Sequence, residues 1–139
     1  MHEVEIRKDV MVPMRDGVRL ATDLYLPRAC PGAADPGRVP ALLTRTPYNK
    51  NAGPPAADDP QMRRIPLEDY GRYFASHGYA VVVQNTRGRY RSEGVWRWLN
   101  DDGADGVDAC AWIARQPWSN GRVGMFGTSY PGGTQHAAA

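Results

Sequence analysis

The chain opens on alternating apolar and polar positions and then changes period. Val4, Ile6, Val10 and Val12 lie in a β-rich run, and Asp16-Gly17 is a strong turn dipeptide. Val18-Arg19-Leu20-Ala21-Thr22-Asp23-Leu24-Tyr25-Leu26 alternates after it, so the pattern predicts a hairpin. Residues 27–38 are rich in Pro, Gly and Ala and read as a loop. Val39-Pro40-Ala41-Leu42-Leu43-Thr44 is a short apolar run of the kind a buried strand makes. Residues 46–66 are polar and Pro-rich. A loop of that length in a compact domain is more often functional than idle.

Helical spacing begins at Leu67, Tyr70, Gly71 and Phe74. Pro66 precedes them, Glu68 and Asp69 sit in the first turn, and Gly78 suits the position just past the helix end. Tyr79-Ala80-Val81-Val82-Val83-Gln84 is a second buried strand, followed by the basic loop Arg87 to Gly94. Asp101 to Gln116 predicts a helix with Val107, Cys110, Ala111 and Ala114 on its buried face and Asp101, Asp102 and Asp105 near its positive end. Arg122-Val123-Gly124-Met125-Phe126 is a third short strand, and residues 130–139 begin a helix. The order hairpin, strand, helix, strand, helix, strand, helix predicts an α/β fold: a mostly parallel sheet covered on both faces, with an N-terminal antiparallel hairpin.

Composition narrows the class. In 139 residues, 42% are hydrophobic and 23% charged, enough apolar sequence for one folded domain. The net charge of +2 is too small to argue for nucleic acid or an anionic membrane. Arg87, Arg89 and Arg91 are interrupted by Gly88 and Tyr90 and read as a solvated or ion-paired loop. Cys30 and Cys110 form no disulfide framework and read as free thiols of a reducing compartment. Met1 to Glu5 shows no signal-peptide pattern and no run reaches membrane-spanning length, so a cytoplasmic protein is expected. Asp101, Asp105 and Asp108 share a helix face without a histidine and read as helix-dipole charges, so no metal or cofactor is expected. Trp96, Trp98, Trp112 and Trp118 either line a substrate cleft or pack, and the residues alone do not choose.

The chemistry is concentrated in Gly127-Thr128-Ser129-Tyr130-Pro131-Gly132. A buried strand runs into it and a helix follows, the context a nucleophile elbow requires. Gly127 supplies a neighbour without a Cβ, and the helix N-terminus behind Ser129 offers N–H groups and partial positive charge to a developing oxyanion. The glycine of the common G-x-S-x-G falls one position late, at Gly132, and Pro131 takes its place. Proline is tolerable there because the first helical turn has no use for its missing N–H. A plain strand-to-helix turn stays open as the alternative. An oxyanion site needs two donors. The backbone N–H of Tyr130 is one candidate. The loop after the earlier strand, Thr44 to Lys50, has no Gly-rich run, which makes the Tyr48 hydroxyl the second candidate, beside the plainer reading of a loop tyrosine packed on the sheet.

These residues resemble the N-terminal part of the CocE/NonD serine hydrolases, the cocaine-esterase-like enzymes related to α-amino-acid ester hydrolases, glutaryl acylases and X-prolyl dipeptidyl peptidases. The resemblance is carried, in family order, by Val12-Pro13-Met14-Arg15-Asp16-Gly17-Val18-Arg19-Leu20, Arg45-Thr46-Pro47-Tyr48-Asn49-Lys50, Gly78 to Gln84, Thr86-Arg87-Gly88 with Ser92-Glu93-Gly94, and Gly121 to Tyr130. It implies an α/β-hydrolase fold with Ser129 as acyl-accepting nucleophile. It also implies that Tyr48 gives its hydroxyl, and Tyr130 its backbone N–H, to the oxyanion. The late glycine is usual for the family. Asn85 departs from it, since relatives often carry an acidic residue there.

The α/β-hydrolase order places the acid and the histidine after the serine, and ten residues follow Ser129. His136 lies seven residues on along the same helix, about 10 Å away along the axis. His77 ends a helix at the opposite edge of the sheet, and His2 is near the terminus, so none is expected to be the base. Residues 1–139 are therefore expected to be a partial α/β-hydrolase domain without the helical cap and β-sandwich of the family. The expected function is hydrolysis of a small-molecule ester or amide, or of a peptide, through a Ser129 acyl-enzyme, with these residues inactive alone. The alternative is a catalytically silent fragment or interaction module that needs a separate C-terminal half.

Overall fold

Two antiparallel strands begin the sheet in the computed structural model, which describes residues 1–32, 34–52 and 66–139. β1 (Glu3–Pro13) pairs with β2 (Arg19–Arg28), and the register shifts between Arg7 and Val10. The turn between them closes through the Met14 N–H to the Val18 carbonyl and the Gly17 N–H to the Met14 carbonyl. Gly17 takes φ +87°, a conformation that glycine adopts without a Cβ penalty. β2 also pairs antiparallel with β4 (Ala80–Asn85). β3 (Val39–Thr46) pairs in parallel with β4 on one side and β5 (Ser119–Met125) on the other. The sheet is thus mixed, in the order β1-β2-β4-β3-β5.

Helices α1 (Leu67–Ser76) and α2 (Asp102–Ala114) make the two crossovers, and α3 (Tyr130–Ala138) follows β5. Period-2 alternation sends successive residues of one strand to opposite cores. Tyr25, Val81 and Val83 join Ala75, Leu67 and Phe74 of α1 on one face. Leu24, Leu26, Ala41, Leu43 and Val82 join Ala109 and Ile113 of α2 on the other. A sheet covered on both faces explains why β2 is buried from Leu20 through Pro27, where a one-sided strand would alternate. α1 approaches so closely that a Cβ on Gly71 would lie 2.6 Å from the Tyr25 ring. It ends in a Schellman motif, with the Gly78 and Tyr79 N–H groups on the Ala75 and Phe74 carbonyls and Gly78 at φ +91°.

The element order follows the periodicity, with shifted ends. β2 runs two residues past Leu26, and β5 starts three residues before Arg122. Most of the predicted 46–66 loop, residues 53–65, lies outside the described residues, as does Ala33 of the 27–38 loop. The buried face of α2 needs correction. Asp102, Asp105, Gly106, Ala109 and Ile113 face inward, while Val107 is exposed and Cys110 only half-buried. The face is offset because it begins with two carboxylates that meet the buried Arg45. Hydropathy assigns carboxylates to solvent, so it rotates the helix the wrong way. No helix among the described residues is long and apolar enough to cross a membrane.

Candidate functional site

β5 ends at Met125, and the Phe126 N–H still reaches the Leu43 carbonyl of β3. The chain then turns through Gly127, at φ +140°, into Ser129, at φ +61° and ψ −128°. A Cβ on Gly127 would lie 2.4 Å from the Pro131 Cβ and 3.3 Å from the Thr44 Oγ1, so the turn requires glycine at this position. Gly132 is under no such demand, since its nearest neighbour to an added Cβ is 3.6 Å away. Positive φ at a serine is a strained conformation that the surroundings must enforce. Here β5 enforces it from one side and α3 from the other, with the Gly133 N–H on the Ser129 carbonyl and the Gln135 side chain on the Gly127 carbonyl. Ser129 is solvent-exposed at the N-terminus of α3. Tyr130 is the first helical residue, so its backbone N–H has no acceptor within the helix.

Tyr48 lies two residues past β3, which is parallel to β5, so it and Ser129 follow the C-terminal ends of adjacent strands. Its side chain is partly exposed. Its backbone N–H is taken locally by the Thr46 Oγ1 at 3.1 Å. The turn is clamped from two directions. The buried Asn85 amide donates to the Thr46 and Tyr48 carbonyls at 3.1 and 2.7 Å. An ionised carboxylate could not make these bonds, so the departure at Asn85 has a local structural role in this chain. Lys50, buried, reaches Asp23 at 2.6 Å and Asp9 at 2.7 Å, and these tie the turn to the hairpin.

The basic loop is ion-paired. Arg87 bridges Asp16 and Asp105 at 2.7 and 2.6 Å, and these hydrogen bonds, the Asp105 one first, push its pKa up. Arg89 caps the Pro47 carbonyl at 2.8 Å and lies over the Trp96 ring. Ser92 ties β2 to the end of β4 through the Ala21 N–H and the Asn85 carbonyl. The aspartates of α2 are likewise paired: Asp101 with Arg97, Asp102 and Asp105 with Arg45, and Asp108 with Arg15. Among the described residues no group of three or more His, Cys, Asp and Glu is arranged to hold a metal. Trp112 and Trp118 pack against the main core, whereas Trp96 and Trp98 flank Tyr130.

His77 caps the C-terminus of α1 and its Nδ1 contacts the Tyr73 carbonyl, at the N-terminal edge of β4. The His2 N–H bonds the Ser76 carbonyl beside it. His136 is exposed in the last turn of α3. A depression of about 420 Å³ is lined by Arg38, Val39 and Trp118, at the N-terminal ends of β3 and β5 and away from Ser129. Sequence reasoning missed Arg45, Lys50, Asp23 and Asp102 as parts that hold the site. The available signal was an ionisable residue inside or beside an apolar strand, which demands a buried partner.

A family model for X-Pro dipeptidyl-peptidases (S15 family) matches residues 16–139. The cocaine esterase of Rhodococcus sp. (strain MB1 Bresler) is 48% identical over 134 residues, which cover 96% of this chain and 21% of the esterase. The crystal structure of a CocE/NonD family hydrolase from Staphylococcus aureus superposes with a TM-score of 0.82 at 30% identity, over 98% of this chain and 25% of that one. An α-amino acid ester hydrolase structure does so with a TM-score of 0.75 at 34% identity, over 99% and 23%. The chain thus spans about a fifth to a quarter of the length of these relatives. Its fold is the N-terminal part of an α/β-hydrolase, and the chain belongs to the S15 family of X-Pro dipeptidyl-peptidases and CocE/NonD hydrolases.

Proposed function

We propose that these residues supply the nucleophile and the oxyanion site of a serine hydrolase acting on ester or amide bonds of small molecules or peptides. The Ser129 Oγ attacks the acyl carbon and its proton passes to a base. The carbonyl oxygen, now an oxyanion, accepts hydrogen bonds from the Tyr48 hydroxyl and the Tyr130 N–H. Collapse expels the alcohol or amine and leaves an ester on Ser129, which water then cleaves. The observation that carries this reading is Ser129 itself. It is an exposed serine held at φ +61° between a buried strand and a helix N-terminus, beside the clamped Tyr48 turn. His2 and His77 lie at the other edge of the sheet and His136 is exposed in the last turn of α3, so in this reading the base and acid come from sequence outside these residues, in the same polypeptide or in a partner half. The arginines of residues 87–97 are engaged in internal contacts, Arg87 and Arg97 with aspartates and Arg89 with the Pro47 carbonyl.

The test is a chimera in which these residues replace the matching segment of the Rhodococcus cocaine esterase. The chimera is expected to hydrolyse an aryl ester, and the 139-residue polypeptide alone is not. Tyr48→Phe in the chimera is expected to lower kcat about 10²-fold with KM little changed, the loss typical of one oxyanion donor. A kcat unchanged by Tyr48→Phe would remove that residue from the oxyanion site. Turnover by the isolated polypeptide would show that the base is within it.

A further inference from the structure

Tyr130 is tethered far more heavily than core packing requires. Its hydroxyl donates to the Asp102 Oδ2 at 2.6 Å and accepts from the Leu99 N–H at 3.1 Å and the Trp96 Nε1–H at 3.2 Å. Leu99 takes φ +52° in the segment that presents that N–H. The rings of Trp96 and Trp98 lie against the Tyr130 ring, with centroids 6.2 and 5.1 Å away. The side chain is fixed at its tip by three hydrogen bonds and along its length by two indoles. Its backbone leaves the elbow at Ser129, so the tether on its side chain adds the second restraint on its peptide plane. A residue held at both ends cannot swing its peptide plane.

Asp102 is itself held. It opens α2, where the helix dipole favours a carboxylate. The Arg45 Nη1 lies 3.3 Å from its Oδ1 and donates to its backbone carbonyl at 2.7 Å, and the Arg45 Nε donates to Gln84 at 2.9 Å. Arg45 is on β3, three residues before Tyr48. One buried chain of contacts therefore runs from the strand that carries one oxyanion donor, through Arg45 and Asp102, to the side chain of the residue that carries the other.

We propose that Asp102 is a positioning residue for the oxyanion site: by anchoring the Tyr130 hydroxyl it sets the direction of the Tyr130 backbone N–H. This rests on the reading of Ser129 and Tyr130 given above. The pair has a function beyond fold stability because the bond it makes is to the one side chain whose backbone faces the reacting oxygen.

The test is binding of phenylboronic acid to the esterase chimera, read by boron NMR. The Ser129 Oγ adds to boron, its proton passes to the base that the esterase part of the chimera supplies, and boron becomes a tetrahedral anion with one oxygen in the oxyanion position. Asp102→Asn and Tyr130→Phe are each expected to weaken binding about tenfold, the worth of a charge-assisted hydrogen bond transmitted to the site. Ile113→Val, a core change on the same helix, is expected to lower the melting temperature and leave affinity within about twofold. Boronate affinity equal to the parent in Tyr130→Phe, or in a folded Asp102→Asn, overturns the inference. If Asp102→Asn does not fold, Tyr130→Phe decides alone. A tetrahedral signal that survives Ser129→Ala, or is absent from the parent, overturns the Ser129 reading itself, and this inference with it.

Discussion

Replacing Ser129 with alanine in the esterase chimera is expected to lower kcat by about 10⁶-fold, the loss found when another triad enzyme forfeits its serine. KM should move little, because the hydroxyl contributes to bond making rather than to ground-state binding. The fold should be indifferent. Ser129 is solvent-exposed, no side-chain cap from it holds α3, and alanine carries the same Cβ as serine, so the strain at φ +61° is unchanged by the substitution. Unfolding midpoints of the two chimeras should therefore agree within the usual scatter of a surface substitution, about 0.5 kcal/mol. A large stability loss would mean that the hydroxyl is structural. A small activity loss would mean that the acyl group is accepted elsewhere.

The second large effect is on stability. Arg45→Ala is expected to destabilise the 139-residue domain by about 3–5 kcal/mol, measured as a shift of the urea midpoint at unchanged slope. The guanidinium is fully buried, and burial pushes its pKa down against the pull of Asp102 and Asp105. Removing it leaves the Asp102 carboxylate, almost wholly buried, without its cation. Asp105 fares better because Arg87 still bonds it at 2.6 Å. The Gln84 side chain also loses a donor, and a cavity opens under α2. Arg91→Ala supplies the contrast. That side chain is 75% exposed and lies 3.4 Å from Asp9, so its removal should cost less than about 0.5 kcal/mol. Equal costs for the two would show that the buried network contributes nothing beyond an ordinary surface pair.

How much of this was legible in the sequence depends on what each residue's signal reports. The hairpin, the strands at Val39 and Ala80 and the existence of α1 and α2 follow from periodicity, because period reports which face is wet. Periodicity failed at α2, where the buried face carries Asp102 and Asp105. A carboxylate reads as solvent until its partner is known, and Arg45 lies 57 positions from Asp102 in the chain. Lys50 and Asp23 were opaque for the same reason. The turn that carries Ser129 was legible because its context is local: a strand, a glycine and a helix within a few residues. The Tyr48 turn was opaque in its supports: the clamp from Asn85 and Lys50 appears only when strands distant in sequence are brought together. Gly127 and Gly132 look alike in the string, yet only Gly127 sits where a side chain would strike Pro131.

The central claim is that Ser129 accepts the acyl group, and trapping that group tests it most directly. The chimera is mixed with an aryl ester, quenched in acid within the first turnover, digested and mass-mapped. The account predicts an added acyl mass on Ser129, absent from Ser129→Ala and from the 139-residue chain alone. An acyl mass on any other residue, or turnover that persists in Ser129→Ala, would contradict it.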